Sequence, residues 1–574
     1  MAAGGAGAGS VAGVVSAAAW GSAPPLLVGV AVAVVGGLLV VAWALLAARD
    51  HAAHARLPSG VAVDLDAFLG GGRAGAADVL ASYATQVAVG AFRGRMSPGP
   101  VPLEVVPPGG PGAPWGWATV RRRAVDAPGL GPGALEPRAR VLVGTLRMGY
   151  GHMRIAHAIA SYAAGGDDDG NDGEGVRVAV VDLLGLECAE AGLVRKAEER
   201  YSQLSRVASE AGGAVERLWG AVTLSGDARL VRSQWRTAQV LVHALSGWPD
   251  KDTPFVATHP LMGFIAVLAG FTRVVNCVID NTAQFFVMVP GAQNLCQGPA
   301  QCLALGALGG AGLAAARGRR LRTVGHWVAR DVAENAAQDC ARRKRRVAAD
   351  PAAPVRVLIP FGGAGAQTRY LVTLLRRLAP LVDAGRVDAC VNCGDHPAAL
   401  AAVLKTVEAV GLRRRLGAHV RTGDALGALA RAWASDASLP GRIHVCSFLG
   451  GTPEDHFLAV HATDALCRGA DVLMCKPSEL AFVPVPKIML RRVGDHEARN
   501  ALRASEIGDG TPECRSPDDA ARCLEVLLAE RDRGDPHGWW PSMCDRIISL
   551  CGPDGVYRGA HIAVTLACSG KGGT

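Results

Sequence analysis

The stretch GTLRMGYGHMRIAHAIASY, Gly144–Tyr162, decides the reading of this chain. The apolar run Arg140–Thr145 before its glycines has the pattern of a buried strand. The residues after His152 repeat apolar positions at helical spacing, so a helix begins near Met153. Between them, Gly149 and Gly151 allow a tight turn and close approach of another group to the backbone. A helix N-terminus there offers unpaired N–H groups and the positive end of the helix dipole, which suit a phosphate or a developing oxyanion. His152 stands at that mouth, and imidazole is the side chain suited to take a proton near neutral pH. Taken alone, the junction also fits a histidine that merely caps a helix.

Outward from this unit, short Val/Ile/Leu runs alternate with helical stretches. The runs Val176–Asp182, Phe255–Thr258 and Val274–Asp280 continue a first set of strands. Val355–Pro360, Val387–Asn392, Arg442–Phe448, Val472–Met474 and Lys487–Leu490 form a second. Buried strands alternating with helices imply parallel sheets with crossover helices. The expected fold class is α/β, with two Rossmann-like doubly wound domains facing a cleft. The expected divisions are residues 138–335 for the first domain, 336–353 for a basic linker, and 354–534 for the second domain. Residues 535–574 are expected to form a C-terminal segment that packs back on the first domain.

The chain has 574 residues, too many for one ordinary domain; half are hydrophobic and 19% charged, so most of it should fold. The net charge of +8 is mild for this length. Basic runs at Arg121–Arg123 and Arg342–Arg346 read as solvated helix ends or linkers, or as contacts with an anionic membrane surface. No nucleic-acid motif or basic–aromatic stripe accompanies them, so nucleic acid is not an expected partner. The 15 cysteines are odd in number and scattered through apolar segments, which fits reduced, buried thiols better than a disulfide framework. Cys390 and Cys393 form a Cys-x-x-Cys without a second pair nearby, so no metal site is expected there.

The N-terminus follows other rules. Residues 1–25 are Ala/Gly-rich and of low complexity. Leu26–Ala48 carries no charge and, at about 1.5 Å per residue, is long enough to span a bilayer core. Arg49 and Arg56 follow it, which places the rest of the chain on the cytosolic side of a single-pass anchor. An organelle-targeting presequence is the alternative. Residues 49–137 form a juxtamembrane segment, and the Pro- and Gly-rich part from Pro98 to Pro137 reads as linker.

From Arg138 to Glu530 the order of motifs resembles glycosyltransferase family 28 proteins of the GT-B fold. The nearest likeness is to monogalactosyldiacylglycerol synthases and diacylglycerol glucosyltransferases, with a more distant one to the peptidoglycan GlcNAc-transferase. GYGH, Gly149–His152, stands where the family has a glycine loop ending in a histidine base. THPLMGFI, Thr258–Ile265, matches a His-Pro-Leu-Met-like element, and VVNCVIDN ends in Asp280 where the family has an acid. The resemblance thus implies catalytic roles for His152 and Asp280 and acceptor-side roles for Gly149, Gly151, Arg154 and His259. PFGGAGAQ, Pro360–Gln367, stands at the donor-diphosphate loop and brings Gly362, Gly363 and Gly365 to it. HVCSFLGG would set Phe448 against the nucleobase, and CKPSELAF would give Glu479 to the ribose hydroxyls, with Lys476 and Ser478 beside it. GDHEARN implies that His496, Glu497 and Asn500 hold the sugar.

The chain departs from the family at Lys476-Pro477-Ser478, where a Gly-rich turn is usual, at His496, where Gln is usual, and at Tyr150, where Gly is usual. The implied activity is a UDP-sugar-dependent hexosyltransferase that moves a hexose to a lipid-type acceptor, with UDP-sugar as co-substrate and no obligatory metal or other cofactor. A nucleotide-sugar epimerase or hydrolase on the same fold is one alternative. An inactive, membrane-tethered binding or scaffold protein is another.

Overall fold

The computed structural model describes residues 54–56, 62–70, 95–108, 115–124, 134–165, 176–211, 228–310, 313–350, 352–361, 365–435, 441–535 and 537–569. The expected span Leu26–Ala48 and the glycines Gly362 and Gly363 lie outside the described residues. Among the described residues no helix is long and apolar enough to cross a membrane.

The first half is built on β1 (Leu103–Val106), β2 (Ala118–Arg122), β3 (Ala139–Thr145), β4 (Val176–Asp182), β5 (Phe255–Ala257), β6 (Val274–Cys277), β7 (Gln293–Cys296) and β8 (Leu321–Thr323). They form one eight-stranded sheet in the order β8-β7-β6-β5-β3-β4-β2-β1. Every pairing is parallel except that of β1 with β2. The second half is built on β9 (Val355–Pro360), β10 (Val387–Asn392), β11 (Leu416–Val420), β12 (Ile443–Cys446), β13 (Val472–Cys475) and β14 (Lys487–Met489). These give a parallel six-stranded sheet in the order β11-β12-β10-β9-β13-β14. The central strands are buried along their length, as VRVLIP in β9 shows, because helices cover both faces.

Each sheet has a switch point in its strand order. In the first, β3 leads to β4 on one side and β5 lies on the other; in the second, β9 lies between β10 and β13. Such a switch point leaves a crevice at the carboxyl ends of the strands, because the helices that follow the two flanking strands leave on opposite faces. In the first half these helices are α1 (Gly151–Ala164), after β3, and α2 (Pro260–Leu268), after β5.

Two stretches depart from the sequence expectation. The Pro/Gly-rich stretch read as linker supplies β1 and β2, whose inward residues Leu103, Val105, Ala118 and Val120 are buried. Each run is short, and the surrounding prolines and glycines mask its alternation. The basic stretch read as an inter-domain linker is a helix, α3 (Ala336–Ala349). Its Arg343 is buried and donates to the carbonyls of Ala470 and Cys467, and Arg346 pairs with Asp471. The run therefore does not present a solvated charge cluster to a membrane surface; it ties a helix to the second sheet.

The halves share a core. Trp117, Ile155 and Ile159 of the first half belong to the same apolar cluster as Val357, Phe457 and Val460 of the second. Helices α4 (Pro453–Cys467) and α5 (Gly559–Cys568) both pack on α1, and α5 also lies against β5 and β6. The chain can return this close because Gly325 and Gly559 meet backbone to backbone. Gly325 has φ +96°, and a Cβ on it would fall 2.4 Å from the Val556 carbonyl oxygen. Gly325→Ala is expected to cost about 1–3 kcal/mol of stability in urea unfolding, from left-handed strain and this clash. A change under about 0.5 kcal/mol would show that the C-terminal return adapts freely.

Candidate active site

The two switch points face each other across a cavity of about 490 Å³. The first half lines it with the glycine turn Gly149–Gly151, His152, His259 and Asp280, and the second half with Phe361, Ala366, Asn392, Lys476, Ser478, Glu479, His496 and Glu497. Residues hundreds of positions apart thus meet where an open parallel sheet places its ligands.

The glycine turn works as the local chemistry requires. Gly149 has φ +81°, and Tyr150 precedes α1 without a side chain capping its first N–H groups. His152 Nδ1 lies 2.6 Å from the Thr258 carbonyl oxygen. A carbonyl only accepts, so Nδ1 carries the proton and Nε2 keeps its lone pair. Burial pushes His152 down to about 4, so the ring is neutral at physiological pH. Its neighbour His259, with ring centroids 4.3 Å apart, caps α2 by accepting the Leu261 N–H at 3.1 Å. Burial, and then His152, hold His259 well below its ordinary value.

Asp280 is held by the opposite half. It adopts the left-handed region, with φ +57°, which is uncommon for a residue with a side chain. Its N–H donates to Glu479 Oε1 at 3.0 Å, and its Oδ1 accepts from Asn500 Nδ2 at 2.7 Å. The next N–H, of Asn281, donates to Asn500 Oδ1 at 2.9 Å, and Thr282 Oγ1 donates to the His496 carbonyl at 2.8 Å. His496 Nε2 stands 4.0 Å from Asp280 Oδ2. Glu479 is 2% exposed, and burial with the adjacent Asp280 raises it to about 8. Burial raises Asp280 as well, against His496 and the Asn500 bond. Lys476 pairs with Glu497; burial alone would raise Glu497, but Lys476, His496 and the bond from the Val493 N–H together hold the carboxyl below its ordinary value.

Other expected site residues sit elsewhere. Phe448 is 1% exposed in the core and does not line the cavity; its N–H bonds the Gly394 carbonyl. Gly365 has φ +65° and faces the His396 ring, leaving Phe361 and Ala366 at the wall. Arg154 reaches the cavity wall, but its guanidinium pairs with Asp464 of α4. Asn500 is fully buried, with both ends of its amide used on Asp280, Asn281 and the Pro477 carbonyl.

Several residues at this meeting point carry no motif of their own. Tyr150 exchanges hydrogen bonds with Asp395, whose carboxylate also takes Arg147 at 2.8 Å and His456 at 3.1 Å. Burial would raise Asp395, but His456 and Arg147 hold it far below the usual carboxylate range. A tyrosine one residue inside the glycine turn was the available signal. Among the described residues no cluster of His, Cys, Asp and Glu has the make-up of a metal site. All 15 cysteines are free thiols.

Residues 123–304 match the model of a domain of unknown function, DUF6937, and residues 317–568 that of another, DUF6938. No curated protein matches the chain. Among solved structures, a UDP-GlcNAc 2-epimerase from Neisseria meningitidis bound to UDP-GlcNAc shares 10% identity over 75% of this chain and 100% of its own, with a TM-score of 0.35. WaaG, a glycosyltransferase involved in lipopolysaccharide biosynthesis, shares 10% over 75% of this chain and 100% of its own, with a TM-score of 0.34. An α,α-trehalose 6-phosphate synthase from Burkholderia multivorans shares 13% over 75% of this chain and 96% of its own, also at 0.34. Scores of this size carry neither an activity nor a substrate from one protein to another. The chain's own sheets define the class: an α/β protein of two Rossmann-like domains that enclose a cleft between their switch points.

Proposed function

We propose that the chain is a glycosyltransferase that moves a hexose from a UDP-linked sugar to a hydroxyl of a lipid-type acceptor. The single observation that carries this reading is the cavity itself. It puts a neutral, correctly tautomerised histidine from one half opposite Lys476, Ser478 and His496 of the other. His152 Nε2 takes the acceptor proton as the hydroxyl attacks the anomeric carbon, and the nucleoside diphosphate leaves. Its charge is met by Lys476 and by the uncapped N-terminus of the helix that starts at Thr368. A ribose role for Glu479 requires its bonds to Asp280 and Gln297 to be released first. The reading needs no metal and assigns Leu26–Ala48 as the anchor that brings the cytosolic cleft to its acceptor.

The buried carboxyl pair of Asp280 and Glu479 favours a second reading, a nucleotide-sugar hydrolase or epimerase. Either reaction uses acid–base groups around the sugar ring and needs no acceptor. Thermal shift of the full chain against UDP, GDP, ADP and their common sugars tests both. Binding stabilises by about 2.7 kcal/mol at a hundredfold excess over Kd. A shift confined to UDP compounds supports the proposal. UDP release from UDP-sugar without acceptor, or a changed sugar, supports the second reading. No shift with any nucleotide from folded protein overturns both in favour of a scaffold role.

A further inference from the structure

We propose that Glu479 is a positioning residue that works as a neutral carboxylic acid. From the second half it holds the Asp280 turn of the first, so that Asp280 reaches its place only while the cleft is closed. This rests on the reading of the cleft as the active site.

The geometry argues it in three steps. First, among the described residues no cation pairs with Glu479. Its Oε1 accepts the Asp280 N–H, and Gln297 Nε2 stands 3.5 Å from its Oε2. The charged groups facing it are already matched: Arg154 with Asp464, and Lys476 with Glu497. His496 stands toward Asp280 Oδ2, and Gln297 is engaged by His326 Nδ1 at 3.1 Å. The Cys277 thiol, which Glu479 helps to raise, stays uncharged. A carboxylate buried to this degree, beside a second carboxyl and without a cation, takes up a proton. Second, a neutral acid still offers its carbonyl oxygen to the Asp280 N–H, so the bond across the cleft survives protonation while the repulsion between the two carboxyls does not. Third, Asp280 sits in a left-handed conformation that costs free energy and persists only where surrounding contacts impose it. Those contacts are Glu479 and Asn500 from the other half, with Gln301 of its own half donating to the Asp280 carbonyl at 2.7 Å. Opening the cleft removes the two from the other half, which hold the N–H groups of Asp280 and Asn281 and the Asp280 carboxyl.

The sign of the pH dependence follows. A carboxyl whose folded value is raised to about 8 contributes stability that is fully present below its ordinary value of 4.5. That contribution is lost as pH rises through 8, because the folded state binds the extra proton in that window. Loss of the proton restores a buried charge next to Asp280 and loosens the closed cleft.

Infrared difference spectroscopy of the full chain at pH 7, wild type against Glu479→Gln, reads the proton directly. A protonated-carboxyl stretch present in the wild type, absent in the variant and titrating away near pH 8 is expected. Thermal midpoints from pH 5 to 9 give the second readout. The wild type is expected to fall with rising pH relative to Glu479→Gln, whose amide oxygen keeps the bond to Asp280 and cannot ionise. Glu479→Ala lacks that acceptor and is expected to show an enlarged radius of gyration in solution scattering at every pH. An unchanged carboxyl band in Glu479→Gln, or parallel midpoint profiles for wild type and Gln, overturns the proposal. So does a Glu479→Ala chain as compact as wild type. None of these readouts needs a nucleotide or an acceptor, so failure of the UDP titration and failure of this inference are told apart, and a missing band leaves the transferase reading intact.

Discussion

His152→Ala is expected to cut UDP-sugar turnover by about 10²–10⁴-fold with little change in thermal midpoint. The size follows from the loss of a positioned base. The Nδ1 bond to the Thr258 carbonyl holds the ring in one tautomer, and alanine removes that ring. The fold should survive, because the ring hangs from the first turn of α1 and borders the cavity. The pH profile gives a sharper check. Burial sets His152 at about 4, so kcat/KM governed by this base should hold from neutral pH downward and fall only as pH drops through about 4. An ordinary histidine would give a limb near 6.5. Turnover unchanged by the substitution would remove His152 from the chemistry and leave it as a brace between β3 and β5.

Asp464→Ala is expected to destabilise the chain by about 3–5 kcal/mol in equilibrium unfolding. Asp464 lies on α4 of the second half, buried against α1 of the first, and pairs with Arg154. Removing it strands a guanidinium in an interior that cannot solvate it. His157 cannot compensate, although its Nδ1 lies 3.4 Å from Asp464 Oδ2. Burial and Arg154 push His157 down to about 3, so it is neutral and carries no charge to trade. Asp464→Asn keeps an acceptor for Arg154 and should cost less. Replacing Arg154 and Asp464 together by apolar residues of similar size should recover most of the loss, since the pair is costly to break and not costly to replace. A small loss in Asp464→Ala would mean that water reaches Arg154 from the cavity it borders.

Much of the fold is legible in the one-dimensional pattern, for a local reason. Strands such as VRVLIP declare themselves by composition, because a parallel strand buried on both faces has no polar side to show. The turn MGYGHMR declares itself because a strand that must feed a helix through a left-handed residue needs glycine, here Gly149. THPLM does so because a histidine cap followed by proline opens a helix. Where the pattern misled, the element was short or its charge was satisfied at a distance. β1 and β2 are brief runs inside Pro/Gly-rich surroundings, and the arginines of α3 find carbonyls more than a hundred residues away.

By itself, then, the sequence determined two alternating sets of strands and helices and the glycine, histidine and acid at their strand ends, because periodicity and turn chemistry act between near neighbours. Only the tertiary structure decided what those side chains do to one another. It set Glu479 and Asn500 on the Asp280 turn, Tyr150 on Asp395, Arg154 on Asp464, and Phe448 inside the core. These are contacts between residues brought together by the docking of two halves, and no local spacing records that docking. The proton assigned to Glu479 follows from burial and from the lack, among the described residues, of a cation paired with it, and that surrounding is built from both halves.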